Sequence, residues 1–569
     1  MPMNGQMNQV TVGGYLAQRL EEIGIRDYFA IPGDFNLSLL DELLKNPRLK
    51  MINCCNELNA GYAADGYCRE KGVAALVLTF GVGGLSAVNA VAGAFAEDLP
   101  VIVVSGGPNV RSLVENRVLH HTLALPEDAD KFVLAIYKEI TAHAVVIREV
   151  STAAFRIDEA IRIALSARKP VYIEIACNLA GALISRPNPL SLTATLKSDP
   201  NSLKKALEHV TAFLNGARQP VLVAGGRLRT GDAREAFETL AAACAYGVAC
   251  MPNAKSFFPE TNPQFMGIYW GSASSPGCRE VVESSDAYLF AGPIFSDYTT
   301  VGFSALIQPA RLVEASPERI LVEGQAYHGI VLSEFLAGLA TQLNANSTSL
   351  DAYLRIKEAA HVAPSVTTKD LSLSTRRLFH HINESLDGAT TIVAETGDSW
   401  FNGMDLHLPD GCKFEIQMQY GSIGWSVGAF LGLAAANPQR RVIGLIGDGS
   451  FQMTAQEVST ILRYNCSGVI FLMNNGAYTI EVMIHDGPYN TLQNWNYAAM
   501  VESLKGQSSI LSRVVRTEKG LVAALKKSRA FKGLTFIEVI LDRTDCNKVL
   551  LGWGTAVADY NGGKGNATS

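Results

Sequence analysis

The stretch LIGDGSFQM, Leu445–Met453, places an aspartate between two glycines, directly after an apolar run that is typical of a buried β-strand. A carboxylate at the end of a buried strand is costly unless a positive charge lies against it. Asp448 is therefore expected to face a cation or a ligand.

The sequence after Asp448 predicts a β-α-β unit. TAQE (Thr454–Glu457) has the pattern of a capping box, and apolar residues follow at helical spacing: Ala455, Val458, Ile461 and Leu462. The run GVIFLMNN (Gly468–Asn475) predicts the next strand. A right-handed crossover then brings Asp448 and Asn475 to the carboxyl ends of two parallel strands. Ligands of open α/β sheets bind at that edge, and oxygen ligands flanked by glycines suit Mg²⁺ with phosphate oxygens in its shell.

The composition describes an ordered globular chain. Its residues are 48% hydrophobic and 18% charged, as in ordered globular proteins. Its length of 569 residues is enough for three or four domains. The net charge of −6 and the lack of a basic stripe argue against a nucleic-acid binder. The ten cysteines show no metal-ligand spacing, and adjacent Cys54 and Cys55 are poor disulfide partners, so we expect reduced, mostly buried thiols.

Targeting and membrane segments are not predicted. No charged residue precedes Arg19, which fits neither a secretory signal nor an Arg-rich transit peptide, so we expect a cytoplasmic protein. Val73–Ala96 is uncharged over 24 residues, long enough to span a bilayer. FGVGG (Phe80–Gly84) interrupts it, however, and we predict a buried strand, a glycine turn and a helix instead.

Strand-like runs alternate with helical stretches in three segments of the chain. This alternation predicts an α/β protein with three open, mainly parallel domains. The predicted domains span residues 1–188, 200–350 and 368–560. A Pro- and Ser-rich linker follows the first, and residues 561–569 form a tail expected to be disordered.

Two motifs and several longer stretches carry a family resemblance. GDGS (Gly447–Ser450) followed by Asn474–Asn475 resembles the motif of the thiamine diphosphate (ThDP)-dependent 2-keto acid decarboxylase family. Similar to the pyruvate decarboxylases of that family are IPGDFN (31–36), NELNAGYAADGY (56–67), HHT (120–122), ETGDSWF (395–401), GSIGWSVGA (421–429) and YTIEVMIHDGPYN (478–490). The resemblance implies a pyrimidine-binding, a central and a diphosphate-binding domain, with conversion of pyruvate to acetaldehyde and CO₂, as in alcoholic fermentation.

The resemblance also implies the cofactor site. Asp448, Asn475 and the backbone carbonyl of Ala477 would hold Mg²⁺, which bridges to the diphosphate. Residues implied to contact ThDP are Glu57, Thr396, Gln419, Tyr420, Gly421, Ile423, Gly449, Ser450, Asn475 and Tyr478. One departure is visible: the family commonly has glycine where this chain has Ala477, and here Gly476 precedes it. Because alanine tolerates a positive φ poorly, the conformation of this turn is in question.

Catalytic residues follow from the same motifs. Glu57 would hydrogen-bond the aminopyrimidine ring and so activate the cofactor, although a carboxylate after a strand is as often a helix cap. Ile423 would hold the two cofactor rings in a V. Asp34, His120, His121 and Glu481 would handle protons, because histidine titrates near neutral pH. The implied substrate pocket is small and favours pyruvate, lined by Tyr298, Trp400, Ile480, Ile484 and Trp495.

Other functions remain open at this point. A decarboxylase of a larger 2-keto acid, such as indolepyruvate or phenylpyruvate, would carry smaller pocket residues. GVGGLS (Gly81–Ser86) after a strand gives a weak dinucleotide-binding signal that lacks the third glycine of GxGxxG. Acetolactate synthase would bind a flavin and lack the His-His pair, and a non-catalytic family member would not need the acid/base set. The resemblance further implies a dimer or dimer of dimers, with each active site between two chains.

Overall fold

The computed structural model describes residues 9–123, 131–188, 197–358 and 372–562. Residues 189–196 of the predicted linker and residues 563–569 of the predicted tail lie outside these residues. The described chain holds three large sheets and one small antiparallel pair. The predicted fold class, α/β with three open, mainly parallel sheets, is confirmed. The exact domain boundaries stay a prediction.

The N-terminal sheet has six parallel strands in the order β3-β2-β4-β5-β7-β6. Its elements, with the β1–β8 pair, are β1 Gln9–Thr11, α1 Val12–Glu22, β2 Asp27–Ala30, α2 Leu37–Leu44, β3 Lys50–Asn53, α3 Glu57–Lys71, β4 Ala74–Thr79, α4 Val82–Ala96, β5 Val101–Gly107, α5 Val110–Val114, α6 Lys131–Ile140, β6 His143–Ile147, α7 Val150–Ala167, β7 Val171–Ala176 and β8 Leu183–Ser185. The uncharged stretch from residue 73 to 96 is β4 and α4, as predicted. Among the described residues, no helix combines the length and apolar character needed to cross a membrane.

The central sheet has seven strands in the order β11-β10-β9-β12-β13-β14-β15, with β14 antiparallel to both of its neighbours. Its elements are α8 Pro200–Asn215, β9 Pro220–Ala224, α9 Arg234–Cys244, β10 Gly247–Cys250, β11 Phe265–Ile268, α10 Cys278–Ser284, β12 Ala287–Ala291, α11 Asp297–Thr300, β13 Leu312–Ala315, β14 Ile320–Val322, β15 Gln325–Tyr327, α12 Leu332–Ala340 and α13 Thr348–Glu358.

The C-terminal sheet has six parallel strands in the order β17-β16-β18-β19-β21-β20. Its elements are α14 Thr375–Asn383, β16 Thr390–Ala394, α15 Asp398–Met404, β17 Lys413–Glu415, α16 Trp425–Ala436, β18 Arg441–Gly447, α17 Asp448–Thr454, α18 Val458–Arg463, β19 Gly468–Asn474, α19 Thr479–Ile484, α20 Tyr497–Ser503, β20 Ile510–Val515, α21 Glu518–Ala530, β21 Leu534–Ile540 and α22 Lys548–Asn561. The N- and C-terminal sheets share one strand order, second-first-third-fourth-sixth-fifth. In each sheet the strand order reverses between the first and third strands. Open α/β sheets bind ligands at such a reversal point.

Helices α3 and α16 join the N- and C-terminal domains at close range. A Cβ at Gly432 would lie 1.9 Å from the carbonyl oxygen of Ala63, and one at Gly66 would lie 2.3 Å from that of Ala429. Because real Cβ atoms do not approach so closely, only glycine allows the two backbones to meet. The small residues of the two family-like motifs therefore form a helix–helix contact.

The predicted capping box is wrong. The helix starts six residues earlier, at Asp448, and a 3₁₀ turn at Ala455–Glu457 separates it from α18. The hydroxyl of Thr454 donates to the carbonyl of Gly424 at 2.7 Å, and Glu457 accepts from the backbone N–H of Cys55 at 3.1 Å. Both side chains bind distant segments and cap no helix.

The cysteines agree with the expectation of reduced thiols. All ten are free, six are buried, and Cys55 is exposed. Burial raises the pKa of the Cys68 and Cys250 thiols to about 12, so both are protonated at neutral pH.

Glu174 on β7 gives the fold a measurable pH dependence. Its carboxyl group is buried and accepts a hydrogen bond from the Tyr172 hydroxyl at 2.9 Å. Burial raises the pKa of Glu174 from 4.5 to about 7. The folded chain therefore binds more protons than the unfolded chain between these two values, and stability falls as pH rises through that window.

We expect Glu174→Gln to remove this loss, because glutamine stays neutral and still accepts from Tyr172. The stability of the variant relative to the wild type should rise between pH 5 and pH 8, on the order of 3 kcal/mol. Thermal unfolding at the two pH values measures the difference. Glu139→Gln, at an exposed position on α6, is the control. A difference that does not change with pH would contradict the assignment.

Candidate active site

A cavity of about 260 Å³ lies at the carboxyl edge of the C-terminal sheet, where the strand order reverses. Three strand ends supply its walls: β16, followed by Thr396; β18, followed by Asp448; and β19, followed by Asn475. Loop residues Gly421 and Ile423 and the start of α19 complete the lining. The β-α-β prediction is confirmed here, since β18 and β19 are parallel neighbours.

Asp448 is buried at the first position of α17, with 2% of its surface exposed. One carboxylate oxygen accepts from the N–H of Gly449 at 2.9 Å, and the other from Asn475 at 3.1 Å and Gly476 at 2.6 Å. Burial raises the pKa of Asp448 to about 6 in spite of these donors. Within the described ranges no cationic side chain forms an ion pair with it. The positive charge expected from the sequence must therefore come from a ligand.

The turn after β19 answers the question raised by Ala477. Gly476 takes the positive φ of 71°, whereas Ala477 is not among the residues with positive φ. Ala477 also lines the cavity, and its N–H donates to Oδ1 of Asn475 at 3.2 Å. The alanine is therefore unstrained.

Glu395, which the sequence argument did not single out, fixes the loop that carries Gly421 and Ile423. Its fully buried carboxylate accepts from the backbone N–H of Gly424 at 3.1 Å and from the Ser426 hydroxyl at 2.6 Å. Burial raises its pKa.

Asp398 was also missed, although it lines the cavity. It accepts from Asn547 N–H at 3.0 Å and from the Asn402 amide at 2.7 Å, and burial raises its pKa to about 6. Both carboxylates follow β16 closely. Their position after a buried parallel strand is the same signal that singles out Asp448 in the sequence.

The predicted cofactor and pocket residues divide into two groups. Those lining the cavity are Thr396, Gly421, Ile423, Gly449, Ser450, Asn475, Tyr478, Tyr298, Ile480 and the acid/base candidate Glu481. Those that do not line it are Glu57, Gln419, Tyr420, Trp400, Ile484 and Trp495. Trp400 is fully buried behind the wall, with its ring 5.8 Å from that of Tyr298, and Trp495 is 38% exposed. Gln419 and Tyr420 face the N-terminal domain, through hydrogen bonds to Glu97 and Asn89.

A second cluster lies at the carboxyl edge of the N-terminal sheet. Nε2 of His120 lies 2.8 Å from one carboxylate oxygen of Asp34, and Nε2 of His121 lies 3.9 Å from the other. The His120 ring stacks on Phe35 at 4.9 Å. The buried Asn36 holds the turn, accepting from Gly33 N–H and donating to the Ile31 carbonyl, both at 2.9 Å. The structure thus brings Asp34, His120 and His121 together.

Glu57 is the first residue of α3 and is half-buried. The helix cap is its neighbour Asn56, whose side chain accepts from Asn59 N–H at 2.8 Å. Throughout the described ranges the Glu57 carboxylate forms no hydrogen bond, so it is available to a ligand. The alternative role as a helix cap is therefore wrong.

Three family models match the chain: thiamine pyrophosphate enzyme, N-terminal TPP binding domain (residues 10–129), central domain (207–325) and C-terminal TPP binding domain (400–539). "Pyruvate decarboxylase 1" of Oryza sativa subsp. indica is 49% identical over 559 residues, covering 97% of this chain and 92% of the relative. "Pyruvate decarboxylase 3" of Arabidopsis thaliana is 48% identical over 560 residues, covering 97% and 94%.

The chain belongs to the pyruvate decarboxylase family of thiamine pyrophosphate enzymes. The resemblance seen in the sequence motifs is thereby confirmed. The dinucleotide alternative fails on geometry as well, because a Cβ at Gly81 would lie 2.2 Å from the carbonyl oxygen of His121. The His-His segment covers the glycine turn that would have met a pyrophosphate.

The C-terminal cavity fits the cofactor of this family. Gly447 faces open space, with no atom within 4 Å of an added Cβ, so a side chain there would extend into the cavity. Gly449 packs against Tyr478, whose ring would lie 2.4 Å from an added Cβ. An open glycine cradle beside a buried carboxylate and an amide oxygen suits a hard cation carrying a diphosphate.

Proposed function

We propose that this chain catalyses the non-oxidative decarboxylation of pyruvate to acetaldehyde and CO₂, with thiamine diphosphate and Mg²⁺. The observation that carries the proposal is the buried carboxylate of Asp448, which pairs with no cationic side chain of the described residues and lies beside glycines at the switch point of the C-terminal sheet. Its place within a pyruvate decarboxylase-like chain supports the choice of substrate.

Asp448, Asn475 and the Ala477 carbonyl are proposed to hold Mg²⁺. All three line the cavity. The hydrogen bonds from Gly449 and Gly476 keep the carboxylate of Asp448 in place before the metal binds, which lowers the cost of organising the site. Bound thiamine diphosphate supplies the electron sink that decarboxylation of a 2-keto acid requires.

The remaining polar residues are proposed to position the cofactor and move protons. Glu57 hydrogen-bonds the aminopyrimidine ring, and Ile423 supports the ring geometry. Asp34 orients His120 through their 2.8 Å contact, so that the imidazole is positioned to exchange a proton with the reacting groups. Glu481 lies on the first turn of α19, beside the metal ligands, and adds a second proton-handling group.

We infer that two chains complete one active site. Within the described part of a single chain, the cavity lining includes none of Asp34, Glu57, His120 or His121. These four residues lie at the edge of the N-terminal sheet. To act on the cofactor, they must face a diphosphate-binding domain that holds it. A second copy supplies it, in a dimer or a dimer of dimers, and we propose a cytoplasmic location.

The small size of the pocket supports pyruvate as the substrate in preference to larger 2-keto acids. Tyr298 and Ile480 narrow the cavity beside Glu481, and the buried Trp400 stands behind Tyr298. We expect Ile480→Ala to shift specificity toward 2-ketobutyrate and phenylpyruvate, because the loss of three side-chain carbons opens space for the larger chain. The ratio of kcat/KM values should change at least about 10-fold, because a difference of a single methylene already changes specificity about 10–200-fold.

Steady-state kinetics on pyruvate, 2-ketobutyrate and phenylpyruvate measure this ratio. Ile484→Ala, on the same helix but outside the cavity lining, is the matched control. An unmoved ratio in Ile480→Ala, or a wild type that already prefers phenylpyruvate, would favour the alternative of a larger-substrate decarboxylase.

The proposed reaction is tested directly by incubating the purified chain with thiamine diphosphate, Mg²⁺ and pyruvate. Acetaldehyde and CO₂ should form in equal amounts and only when all three are present. Formation of acetolactate instead of acetaldehyde, or no turnover in an assembled protein with bound cofactor, would refute it.

A further inference from the structure

Two adjoining cavities lie at the edge of the C-terminal sheet opposite the active site. The larger, about 910 Å³, is at the amino ends of β18, β19 and β21. The smaller, about 420 Å³, lies between this domain and the N-terminal domain. They share a wall made of Pro438, Asn465, Cys466 and Ser467, and neither shares a residue with the active-site cavity.

The larger cavity is rich in cations. Arg441, Arg529 and Lys532 line it, against the two carboxylates of Glu384 and Asp387. The guanidinium group of Arg441 donates to the Ser528 hydroxyl at 3.1 Å, which holds it at the base of β18. Burial lowers the pKa of Arg441, the carboxylate of Asp387 opposes this effect, and the nearby Arg529 adds to it. An anion bound between the two arginines would reduce their mutual repulsion.

The smaller cavity is also lined by more cations than carboxylates. Arg26, Lys50, Lys71 and Arg440 line it, against the single carboxylate of Asp27. Arg440 donates to the Thr391 hydroxyl at 2.8 Å and to the Thr390 carbonyl at 2.6 Å, which fixes its guanidinium group.

Lys50, one of the four cations of the smaller cavity, lies beside an aromatic ring. Lys50 Nζ lies 5.2 Å from the centre of the Tyr464 ring, at the boundary between the domains. Tyr464 is itself fixed by a hydrogen bond from Asn53 N–H to its hydroxyl at 2.9 Å.

The charge imbalance is large for this protein. Seven cationic side chains line the two cavities against three carboxylates, an excess of four positive charges on a chain whose net charge is −6. Within the described residues, none of the seven forms a salt bridge with a carboxylate. Unpaired cations grouped in a concave site create a positive potential that draws multivalent anions.

We propose that the paired cavities bind a small bisphosphorylated metabolite, with one phosphate in each cavity. Arginine presents a planar fork that matches phosphate oxygens, and both cavities contain at least one arginine fixed by neutral partners. Two separate cationic groups across a shared wall favour two anionic groups on one ligand over a single phosphate. The hydroxyls of Ser467 and Ser509 and the amide of Asn465 add neutral donors or acceptors.

The test is isothermal titration calorimetry of the assembled holoenzyme with fructose 1,6-bisphosphate as the probe of this class. Saturating thiamine diphosphate and Mg²⁺ keep the diphosphate site filled. The bisphosphate should bind at least about 10-fold more tightly than fructose 6-phosphate, since the second phosphate gains its own charge-assisted hydrogen bonds. Affinity should fall as salt rises.

Arg529→Gln/Lys532→Gln should weaken binding of the bisphosphate at least about 10-fold by removing two charges from the larger cavity. Lys526→Gln/Lys527→Gln on α21 is the matched control, because it removes two exposed charges that do not line either cavity. Absence of binding at millimolar bisphosphate overturns the proposal. So does equal weakening by the control pair, equal affinity for the monophosphate, or competition of the bisphosphate with thiamine diphosphate.

Discussion

Asp448→Ala is expected to abolish the Mg²⁺-dependent retention of thiamine diphosphate. The carboxylate is the only anionic side chain among the proposed metal ligands, and the other two ligands are a neutral amide and a backbone carbonyl. Loss of partners that merely orient ligands costs about 10–100-fold in metal affinity, so loss of the anionic ligand should cost more than about 100-fold. Equilibrium dialysis with and without Mg²⁺ measures the retained cofactor.

The controls separate a lost ligand from a damaged fold. Asp448→Asn keeps the shape and removes the charge, so it should also lose retention. Glu502→Ala removes a carboxylate on α20 that does not line the cavity and should retain the cofactor normally. Both Asp448 variants should fold without cofactor, because they remove a carboxyl group that burial disfavours in its charged form. Unchanged retention in Asp448→Ala would refute the metal assignment.

The position of this site could be predicted from the sequence because the prediction uses only two neighbouring strands and the helix between them. A polar residue directly after a buried parallel strand must lie at the carboxyl edge of the sheet, and one crossover places the next strand end beside it. Asp448 and Asn475 satisfy that rule, as do the missed residues Glu395 and Asp398. The end of β16 therefore follows the same rule as the ends of β18 and β19.

Contacts between distant segments could not be predicted in the same way. The pattern of Thr454 and Glu457 fits a capping box, but their partners are Gly424 and Cys55, which no local rule connects to them. Likewise Gly66 and Gly432 could be read only as small residues until the crossing of α3 and α16 showed why they must be small. Contacts with distant segments, and not local propensity, determine which residues are required at these positions.

The shared strand order of the N- and C-terminal sheets was also hidden in the sequence. Side chains at the reversal point differ between them: Asp34 follows the first strand in one sheet, and Thr396 follows it in the other. Only the backbone topology repeats. Each sheet thus presents an edge of its own, one carrying the proposed acid/base groups and the other the proposed metal ligands, and the proposed function requires both.

Glu57→Gln is expected to lose most activity while retaining thiamine diphosphate. An amide keeps a hydrogen-bonding group at the start of α3 but cannot exchange a proton as a carboxyl group does. Hydrogen–deuterium exchange at C2 of the bound cofactor should therefore slow by at least about 100-fold, the lower range for positioned acid/base groups. Glu115→Gln, at an exposed position just after α5, should exchange at the wild-type rate. A wild-type rate in Glu57→Gln would leave Glu57 with a structural role only.

Mixing Glu57→Gln chains with Asp448→Ala chains should restore activity that neither variant has alone. If each site joins the N-terminal edge of one chain to the C-terminal edge of another, every mixed dimer contains one intact site and one doubly defective site. Random mixing in equal amounts then yields about one quarter of wild-type activity, because about half of the dimers of a symmetric pair are mixed. Two affinity tags verify and isolate the mixed species, whose specific activity should approach about half of the wild-type value. A purified mixed dimer without activity would mean that one chain holds the whole site, with Glu57 reaching its own chain's Asp448 cavity after a domain movement.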